Sequence, residues 1–172
     1  MADTFVKIAT VTVGSGGAAT MSFTSIPQTY TDLVIKVSQR GAASANGSTA
    51  IVTFNGSTTS YSERYLQGNG TSASSGTNVF SGAGLYGLMG DGALLTANTF
   101  GNSEIYIPNY TGSTYKSTSS DGTSENNATL SYAVLNAGLW SNTAAITSVT
   151  LTSDGTTFVQ YSTATLYGIK NS

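Results

Sequence analysis

The side chains that carry most enzyme chemistry are scarce in this chain. Histidine and cysteine are both absent, which removes the commonest general base, the commonest metal ligand and the thiol nucleophile. The remaining acid–base groups are eight scattered carboxylates: Asp3, Asp32, Glu63, Asp91, Glu104, Asp121, Glu125 and Asp154. Glycoside hydrolysis needs two carboxylates across a cleft, and the sequence spacing leaves such a pair open. Because Asp121 and Asp154 each precede a glycine, we interpret both as turn residues and predict no enzyme activity, no metal and no cofactor.

Two short motifs match known chemical patterns by letter. Residues 82–87 read Gly-Ala-Gly-Leu-Tyr-Gly, but a dinucleotide site of this pattern needs a buried strand before it and a helix after it. Residues 113–116 read Ser-Thr-Tyr-Lys, and a serine nucleophile of this pattern needs a helix and partner motifs. Neither context is indicated, so we interpret the first as a chance match in a glycine-rich chain and the second as a loop.

Aromatic side chains are the other group that could bind a partner. The chain has 10 tyrosines and one tryptophan. Tyr and Trp combine an apolar ring with a polar group, so they are enriched at interfaces and stack on sugar rings. Most of them are expected in the core or on strand faces. Tyr110, Tyr115 and Trp140 lie beside predicted loops, and we predict that these three form a contact surface.

Composition favours one β-rich domain that binds other proteins. A chain of 172 residues fits a single domain, residues 1–172. Charged residues make up 8%, against about 25% in typical proteins, and the six Lys and Arg residues are scattered. We therefore predict neither nucleic-acid nor membrane binding. Surfaces of Ser, Thr, Asn and Gly can face another protein without desolvating ions, as in particle-forming proteins.

Apolar residues alternate with polar ones in short runs, which predicts strands. The run Leu33-Val34-Ile35 within residues 32–40 predicts a central strand after the break at Pro27. Other strands are predicted at 4–13, 19–23, 49–54, 61–66, 95–100, 104–110, 129–139, 146–151, 158–161 and 163–169, the second pairing with the first. Residues 41–48 and 68–78 are predicted loops, and residues 111–127 are predicted to be either a loop or a hairpin about Asp121-Gly122. The pattern of residues 79–95 is ambiguous. The pattern indicates an all-β fold, an antiparallel β-sandwich or barrel.

Several segments together resemble one family. They are Ser-Ile-Pro-Gln-Thr-Tyr-Thr-Asp-Leu-Val-Ile at 25–35, Phe-Asn-Gly at 54–56, Tyr-Ser at 61–62, Tyr-Leu-Gln-Gly-Asn-Gly at 65–70, Ile-Pro-Asn-Tyr at 107–110 and Ala-Thr-Leu-Tyr-Gly-Ile at 164–169. Over about residues 5–170 the chain resembles the small jelly-roll structural proteins of tailed bacteriophages. The resemblance implies an antiparallel β-sandwich of jelly-roll type and a virion component, either a capsid decoration (cement) protein or the head of a tail fibre.

Of these two roles we predict the decoration protein. The first strand begins close to Met1, with no shaft or coiled coil by which a fibre would trimerise. The resemblance then implies a homotrimer on the capsid surface, bound to the major capsid protein where capsomers meet. We expect the terminal strands or residues 68–95 to make the contacts, because exposed strand edges must be covered and few charges oppose association. The alternative is a tail-located head that binds a glycan or host receptor.

Overall fold

The computed structural model describes residues 4–77, 83–127 and 130–170 of the chain. Within these residues the secondary structure consists of twelve strands and no helix. In chain order they are β1 (Phe5–Thr12), β2 (Thr20–Phe23), β3 (Asp32–Gln39), β4 (Gly47–Phe54), β5 (Tyr61–Gly68), β6 (Ala73–Thr77), β7 (Leu85–Asp91), β8 (Gly101–Ile107), β9 (Lys116–Ser124), β10 (Tyr132–Trp140), β11 (Val149–Ser153) and β12 (Thr163–Ile169).

The strands form two antiparallel sheets. The eight-stranded sheet has the order β1-β12-β3-β8-β9-β10-β5-β6, and the four-stranded sheet has the order β2-β11-β4-β7. Each named pair of neighbouring strands is antiparallel. Buried apolar side chains from both sheets form one core between them. The prediction of an all-β fold with antiparallel sheets in a sandwich arrangement is therefore confirmed.

Strand β3 is internal, as predicted, and lies between β12 and β8. Leu33 and Ile35 are fully buried in the core between the sheets. Val34 is also buried, although it lies outside that core, because its cross-strand neighbours are Tyr106 and Tyr167. Near its start β3 therefore buries apolar side chains on both faces, whereas Lys36 and Ser38 further along are exposed. The consecutive apolar residues make this run the most recognisable strand in the sequence.

Aromatic side chains fill one end of the space between the sheets, which we call the aromatic core. The Trp140 ring lies 5.7 Å from the Phe54 ring and 6.1 Å from the Tyr61 ring, stacked on the latter. Tyr110 is also fully buried, and its hydroxyl donates to the carbonyl oxygen of Pro27. Tilted and edge-on aromatic pairs at these distances are favourable beyond the area they bury, so this end is held together by large apolar side chains.

Strand β7 packs on the eight-stranded sheet at much shorter range, in what we call the glycine contact. A Cβ atom placed on Gly101 of β8 would lie 2.4 Å from the Cα atom of Gly90, and one on Gly122 of β9 would lie 2.9 Å from the backbone nitrogen of Met89. Facing sheets are ordinarily about 10 Å apart. Only residues without a side chain allow this approach, so glycines lie on both sides of the contact.

Most of the predicted strands are confirmed, but the pairing of the second with the first is wrong. Strand β1 pairs with β12, and β2 pairs with β11 in the other sheet. The turn at residues 14–17 has a hydrogen bond from Gly17 N to Gly14 O, as expected for a turn. The chain after it crosses to the other layer, so this turn connects two sheets and does not close a hairpin.

Two predicted loops are strands. Residues 73–77 form β6, which pairs with β5 although nearly all of its side chains are exposed. Residues 116–124 form β9, an internal strand between β8 and β10. Asp121 and Gly122 lie within β9, so the prediction of a turn there is wrong. Both strands lack the apolar alternation that marks a half-buried strand. Strand β6 is held by its pairing with β5, and β9 is held by pairing on both sides and by the glycine contact.

Two predicted strands are not strands. Residues 95–100 form turns, because the Arg40 guanidinium donates to the carbonyl oxygens of Leu95, Thr96 and Thr99 and holds this segment folded back. Residues 158–161 contribute only isolated bridges at Phe158, and Tyr161 has a positive φ of 74° that ends any extended run. Parts of three predictions lie outside the described residues. They are Gly82 of the 82–87 motif, residues 78–82 at the junction of the predicted loop and the ambiguous segment, and residue 129 at the start of the predicted 129–139 strand.

Candidate functional site

Only one of the three side chains that were predicted to form a contact surface is exposed. Tyr110 and Trp140 are 0% and 1% exposed, so the prediction that they face a partner is wrong. Trp140 is the last residue of β10 and points inward, where it packs on Phe54 and Tyr61. A residue beside a loop can therefore be buried, because side chains point alternately inward and outward up to the last residue of a strand. Tyr115 is 59% exposed and stands alone of the three at the surface.

Two buried carboxylates, Glu63 and Asp32, hold local structure together. Glu63 is buried, and its Oε2 accepts a hydrogen bond of 2.5 Å from the backbone nitrogen of Tyr86. Asp32 accepts hydrogen bonds from the Tyr106 hydroxyl and from the backbone nitrogen of Asn109. Among the described residues no group of three or more potential ligands is placed to hold a metal ion.

The outer face of the eight-stranded sheet, the face turned away from the four-stranded sheet, has no second sheet over it. One cross-strand row runs over all eight strands of this face: Thr10, Thr165, Lys36, Glu104, Asp121, Leu135, Leu66 and Ser75. Lys36 and Glu104 form the one ion pair found in the described part of the chain. The hydrogen bond and charge of Glu104 raise the pKa of Lys36, but an exposed pair of this kind contributes little to stability.

One half of the outer face carries an apolar patch, which we define as Leu66, Ala73, Ala133, Leu135 and Ala137. Leu66 and Leu135 are 53% and 58% exposed and are directly opposite each other on β5 and β10. A shallow groove of about 450 Å³ runs over four of these residues, Leu66, Ala73, Ala133 and Leu135, and over their neighbours. Isolated exposed leucines are ordinary, but two opposed leucines flanked by alanines form a surface that favours protein contact.

The edge of β7 is closed by the eight-stranded sheet. This strand pairs with β4 on one side, and its backbone groups also bond to side chains of the other layer. The pairs are Glu63 Oε2 with Tyr86 N (2.5 Å), Asn136 Nδ2 with Gly87 O (3.1 Å), Gln39 Nε2 with Leu88 O (2.7 Å) and Ser103 Oγ with Met89 O (2.6 Å). An edge strand whose polar groups are satisfied in this way is a poor template for another strand.

The remaining edge strands carry ordinary protective features. Strand β2 has four residues, β1 has an irregular register between Lys7 and Ala9, and β6 is a short run of Ala, Ser, Gly and Thr. Short length, a bulge and an edge lysine all oppose edge-to-edge pairing. The outer face, more than any edge, is therefore the candidate binding surface of the molecule.

Comparison with family models, with curated proteins and with solved structures finds no match to this chain. The part of the chain that the structure describes contains no helix that could span a bilayer. The candidate site is therefore inferred from the geometry of the sheets alone.

Sequence reasoning missed both leucines of the apolar patch, although each left a signal. Leu66 interrupts the alternation of β5, and Leu135 shares a phase with Ala133 while Val134 occupies the opposite phase. A leucine on the polar phase of an amphipathic strand is exposed if the strand has one buried face. What the sequence could not indicate is that the two leucines are opposite each other, because the register of β5 and β10 joins segments about 70 residues apart.

Proposed function

We propose that this protein is a virion structural component of the decoration type, which binds the outside of a capsid as a homotrimer. The observation that carries the proposal is the apolar patch on the outer face, where the exposed Leu66 and Leu135 are directly opposite each other and Asp121 lies at the border, opposite Leu135. Cores of protein interfaces are depleted in charge, and their rims are polar and hydrogen-bonded. The patch with its surrounding hydroxyl side chains has this arrangement, and the resemblance of the sequence to phage structural proteins supports a capsid as the partner.

The physical effect of such binding is stabilisation of the shell. A partner that binds only the assembled lattice stabilises it by mass action, in proportion to the logarithm of its concentration over its dissociation constant. Interfaces that bury roughly 800 Å² on each partner are enough for stable association. A flat face that spans eight strands offers an area of this order without any rearrangement of the backbone.

We also infer that the sandwich is a jelly roll with one expanded position. Jelly rolls have eight strands, lettered B to I along the chain, in sheets ordered B-I-D-G and C-H-E-F. The order β2-β11-β4-β7 corresponds to the first sheet if β2, β4, β7 and β11 are B, D, G and I. The order β3-(β8-β9-β10)-β5-β6 then corresponds to the second, with three strands in the place of H. Three antiparallel strands in the place of one leave the directions of β3 and β5 unchanged, because both numbers are odd. Strands β12 and β1 extend this sheet beyond C.

The alternative role, the receptor-binding head of a tail fibre, is supported less well. Its predicted platform was Tyr110, Tyr115 and Trp140, and two of these side chains are in the core. Tyr115 by itself is an exposed aromatic residue of an ordinary kind.

The test combines binding with assembly state. Capsids lacking the protein are mixed with the purified wild-type chain or with the double variant Leu66→Asp, Leu135→Asp, and bound protein is measured by co-sedimentation and by cryo-electron microscopy. We expect wild-type density repeated over the capsid lattice and a loss of binding of at least tenfold in the variant, because each new carboxylate must be desolvated at the interface. The matched control is Ser22→Asp, on the exposed outer side of the four-stranded sheet, which should bind as the wild type does.

Three results would count against the proposal. They are a wild-type chain that sediments as a monomer and never binds capsids, density confined to the tail, and a double variant that binds as tightly as the wild type. Circular dichroism of each variant checks that the sheets are intact, so that lost binding is not lost folding.

A further inference from the structure

A second, smaller site lies between the sheets, on the side where β5 and β6 extend beyond the four-stranded sheet. It is a cleft of about 200 Å³, formed by β4 and β7 on one side and by β5 and β10 on the other. Its lining residues are Thr49, Tyr65, Gln67, Tyr86, Met89, Val134, Asn136 and Asp154. This volume is below the range of sites for drug-sized ligands, which begins near 300 Å³. A ligand of one ring fits the cleft better than a longer one.

Hydrogen-bonding groups in the cleft are left without protein partners. Asn136 is only 8% exposed, and its Nδ2 donates to Gly87 O at 3.1 Å. Within the described residues its Oδ1 accepts no hydrogen bond, and the side chains of Tyr65, Gln67 and Asp154 form none. The Oδ1 atom itself is not fully buried, so it can accept a hydrogen bond from a molecule in the cleft. This free acceptor lies among other free acceptors and donors, which is the pattern of a polar ligand site.

The two tyrosines give the cleft aromatic walls. The Tyr65 ring lies over Gly76 of β6, where an added Cβ would be 3.0 Å from the Tyr65 hydroxyl. Glycine at this position holds the ring against the sheet and leaves room for it. Burial, followed by the charges of Asp154 and Glu63, raises the pKa of the Tyr86 phenol. Tyr86 is protonated at physiological pH, as an ordinary tyrosine is, so its hydroxyl can both donate and accept.

The charges in the cleft argue against an anion and against a metal ion. None of the lining residues is cationic, and Asp154 is the single carboxylate among them. An anion would find no counter-charge there, and one carboxylate is too few to hold a metal ion. A neutral polyol satisfies amide, phenol and carboxylate groups together, and the apolar C–H faces of a sugar ring pack on aromatic rings.

We propose that this cleft binds one residue of a neutral saccharide, with Tyr65 and Tyr86 against the sugar ring and with Asn136 and Asp154 accepting from its hydroxyls. The proposal is independent of the decoration role, because the cleft lies on the inner side of the eight-stranded sheet and the exposed side chains of Leu66 and Leu135 lie on its outer face. The two sites adjoin, since Gln67 and Val134 line both the cleft and the groove over the patch. A decoration protein with this site would place one sugar-binding cleft per copy on the particle.

The test is a titration of ¹⁵N-labelled protein with D-glucose, D-galactose, D-mannose and N-acetyl-D-glucosamine, followed by amide chemical shifts. We expect saturable shifts for at least one sugar, confined to the backbone around Tyr65, Tyr86, Asn136 and Asp154. Tyr65→Ala and Asp154→Asn should each weaken that binding at least tenfold. Tyr115→Ala, which removes an exposed tyrosine outside the cleft, should leave it unchanged.

Several results would overturn the saccharide site. Shifts that do not saturate with any of the four sugars, shifts centred elsewhere, or equal binding by Asp154→Asn and the wild type each contradict it. Asp154 is partly exposed in a turn, so this variant keeps its fold even if Tyr65→Ala does not. Capsid binding is measured in parallel with the same variants. A cleft variant that loses sugar binding but still binds capsids separates the two proposals, and loss of both would show that the sites are not independent.

Discussion

The aromatic core and the glycine contact lie in the same sandwich but are held together by different means. In the aromatic core, Phe54, Tyr61 and Trp140 fill the space between the sheets with large rings. In the glycine contact, side chains are removed so that β7 can approach the other sheet, and hydrogen bonds from the Gln39 and Ser103 side chains reach its carbonyl oxygens. One region depends on buried volume, and the other depends on close approach and on satisfied backbone groups.

This difference determines which substitutions each region tolerates. The aromatic core should be sensitive to loss of volume, and the glycine contact should be sensitive to any added atom. The four predictions below test this contrast, from the largest expected effect to the smallest.

Loss of the Trp140 ring should have the largest effect. Trp140→Ala removes the most voluminous fully buried side chain and leaves a cavity between the Phe54 and Tyr61 rings. We expect the free energy of unfolding to fall by about 4 kcal/mol, measured by urea denaturation. Tyr115→Ala removes an exposed ring and should change it by less than about 0.5 kcal/mol. Similar losses for both variants would show that buried volume does not stabilise this end.

Addition of one methyl group in the glycine contact should come next. Gly101→Ala places a Cβ atom 2.4 Å from the Gly90 Cα atom, and backbone cannot give way as a flexible side chain can. We expect a loss of about 3 kcal/mol in the free energy of unfolding. Gly14→Ala, where a Cβ meets no atom within 4 Å, is the control and should be nearly neutral. If Gly101→Ala leaves the free energy of unfolding unchanged, the sheets separate readily and the close contact is not needed for stability.

Removal of the Tyr61 hydroxyl should have a smaller effect that depends on pH. This hydroxyl accepts a 2.7 Å hydrogen bond from the backbone nitrogen of Phe54, so Tyr61→Phe should lower the free energy of unfolding by about 2 kcal/mol at neutral pH. Burial raises the pKa of Tyr61 to about 12, so the unfolded chain loses this proton at lower pH than the native protein does. The stabilisation is complete below about pH 10 and is lost as the pH rises towards 12.

The difference between wild type and Tyr61→Phe should therefore narrow between pH 10 and pH 12. Denaturation curves of both proteins across this range measure it directly. A difference that stays constant, or grows, contradicts the assignment of a buried and protonated phenol.

The smallest expected effect is the loss of a single hydrogen bond in the glycine contact. Ser103→Ala removes the 2.6 Å hydrogen bond to the carbonyl oxygen of Met89 and opens only a small space. We expect a loss of about 1 kcal/mol, with Ser119→Ala on the exposed side of β9 as the neutral control. Faster amide exchange within β7 should accompany it, since this edge is then less firmly held. Unchanged exchange in β7 would indicate that the side chains of the other layer do not hold the strand.

The same contrast explains what could be predicted from the sequence. Strands such as β3 and β12 have apolar side chains in a repeating phase, so residue types alone indicate them. Strand β9 faces inward with Lys116, Thr118, Ser120, Gly122 and Ser124, which read as a loop because no apolar face exists. Its burial becomes evident only when β7 lies on it, and that contact joins distant parts of the chain.

The candidate sites show the same limit. Tyr115 is exposed, but the prediction misplaced the other two residues. Trp140 ends β10, where strand phase directs its ring inward, and Tyr110 lies in the turn after β8, where its hydroxyl donates to Pro27 O. The leucines of the apolar patch and the tyrosines of the cleft become neighbours through the pairing of β5 with β10 and the packing of β7. No local pattern specifies either arrangement.

The pairing of β1 with β12 has a consequence during synthesis on the ribosome. Thr10 and its partner Thr165 are 155 residues apart, and at about 5–20 residues per second the chain needs roughly 10–30 s to add that length. Throughout this time β1 has left the exit tunnel without its partner, close to the same strand of other chains growing on the same message. The charge of Lys7 opposes pairing between these nascent strands, so this side chain acts before the folded protein exists.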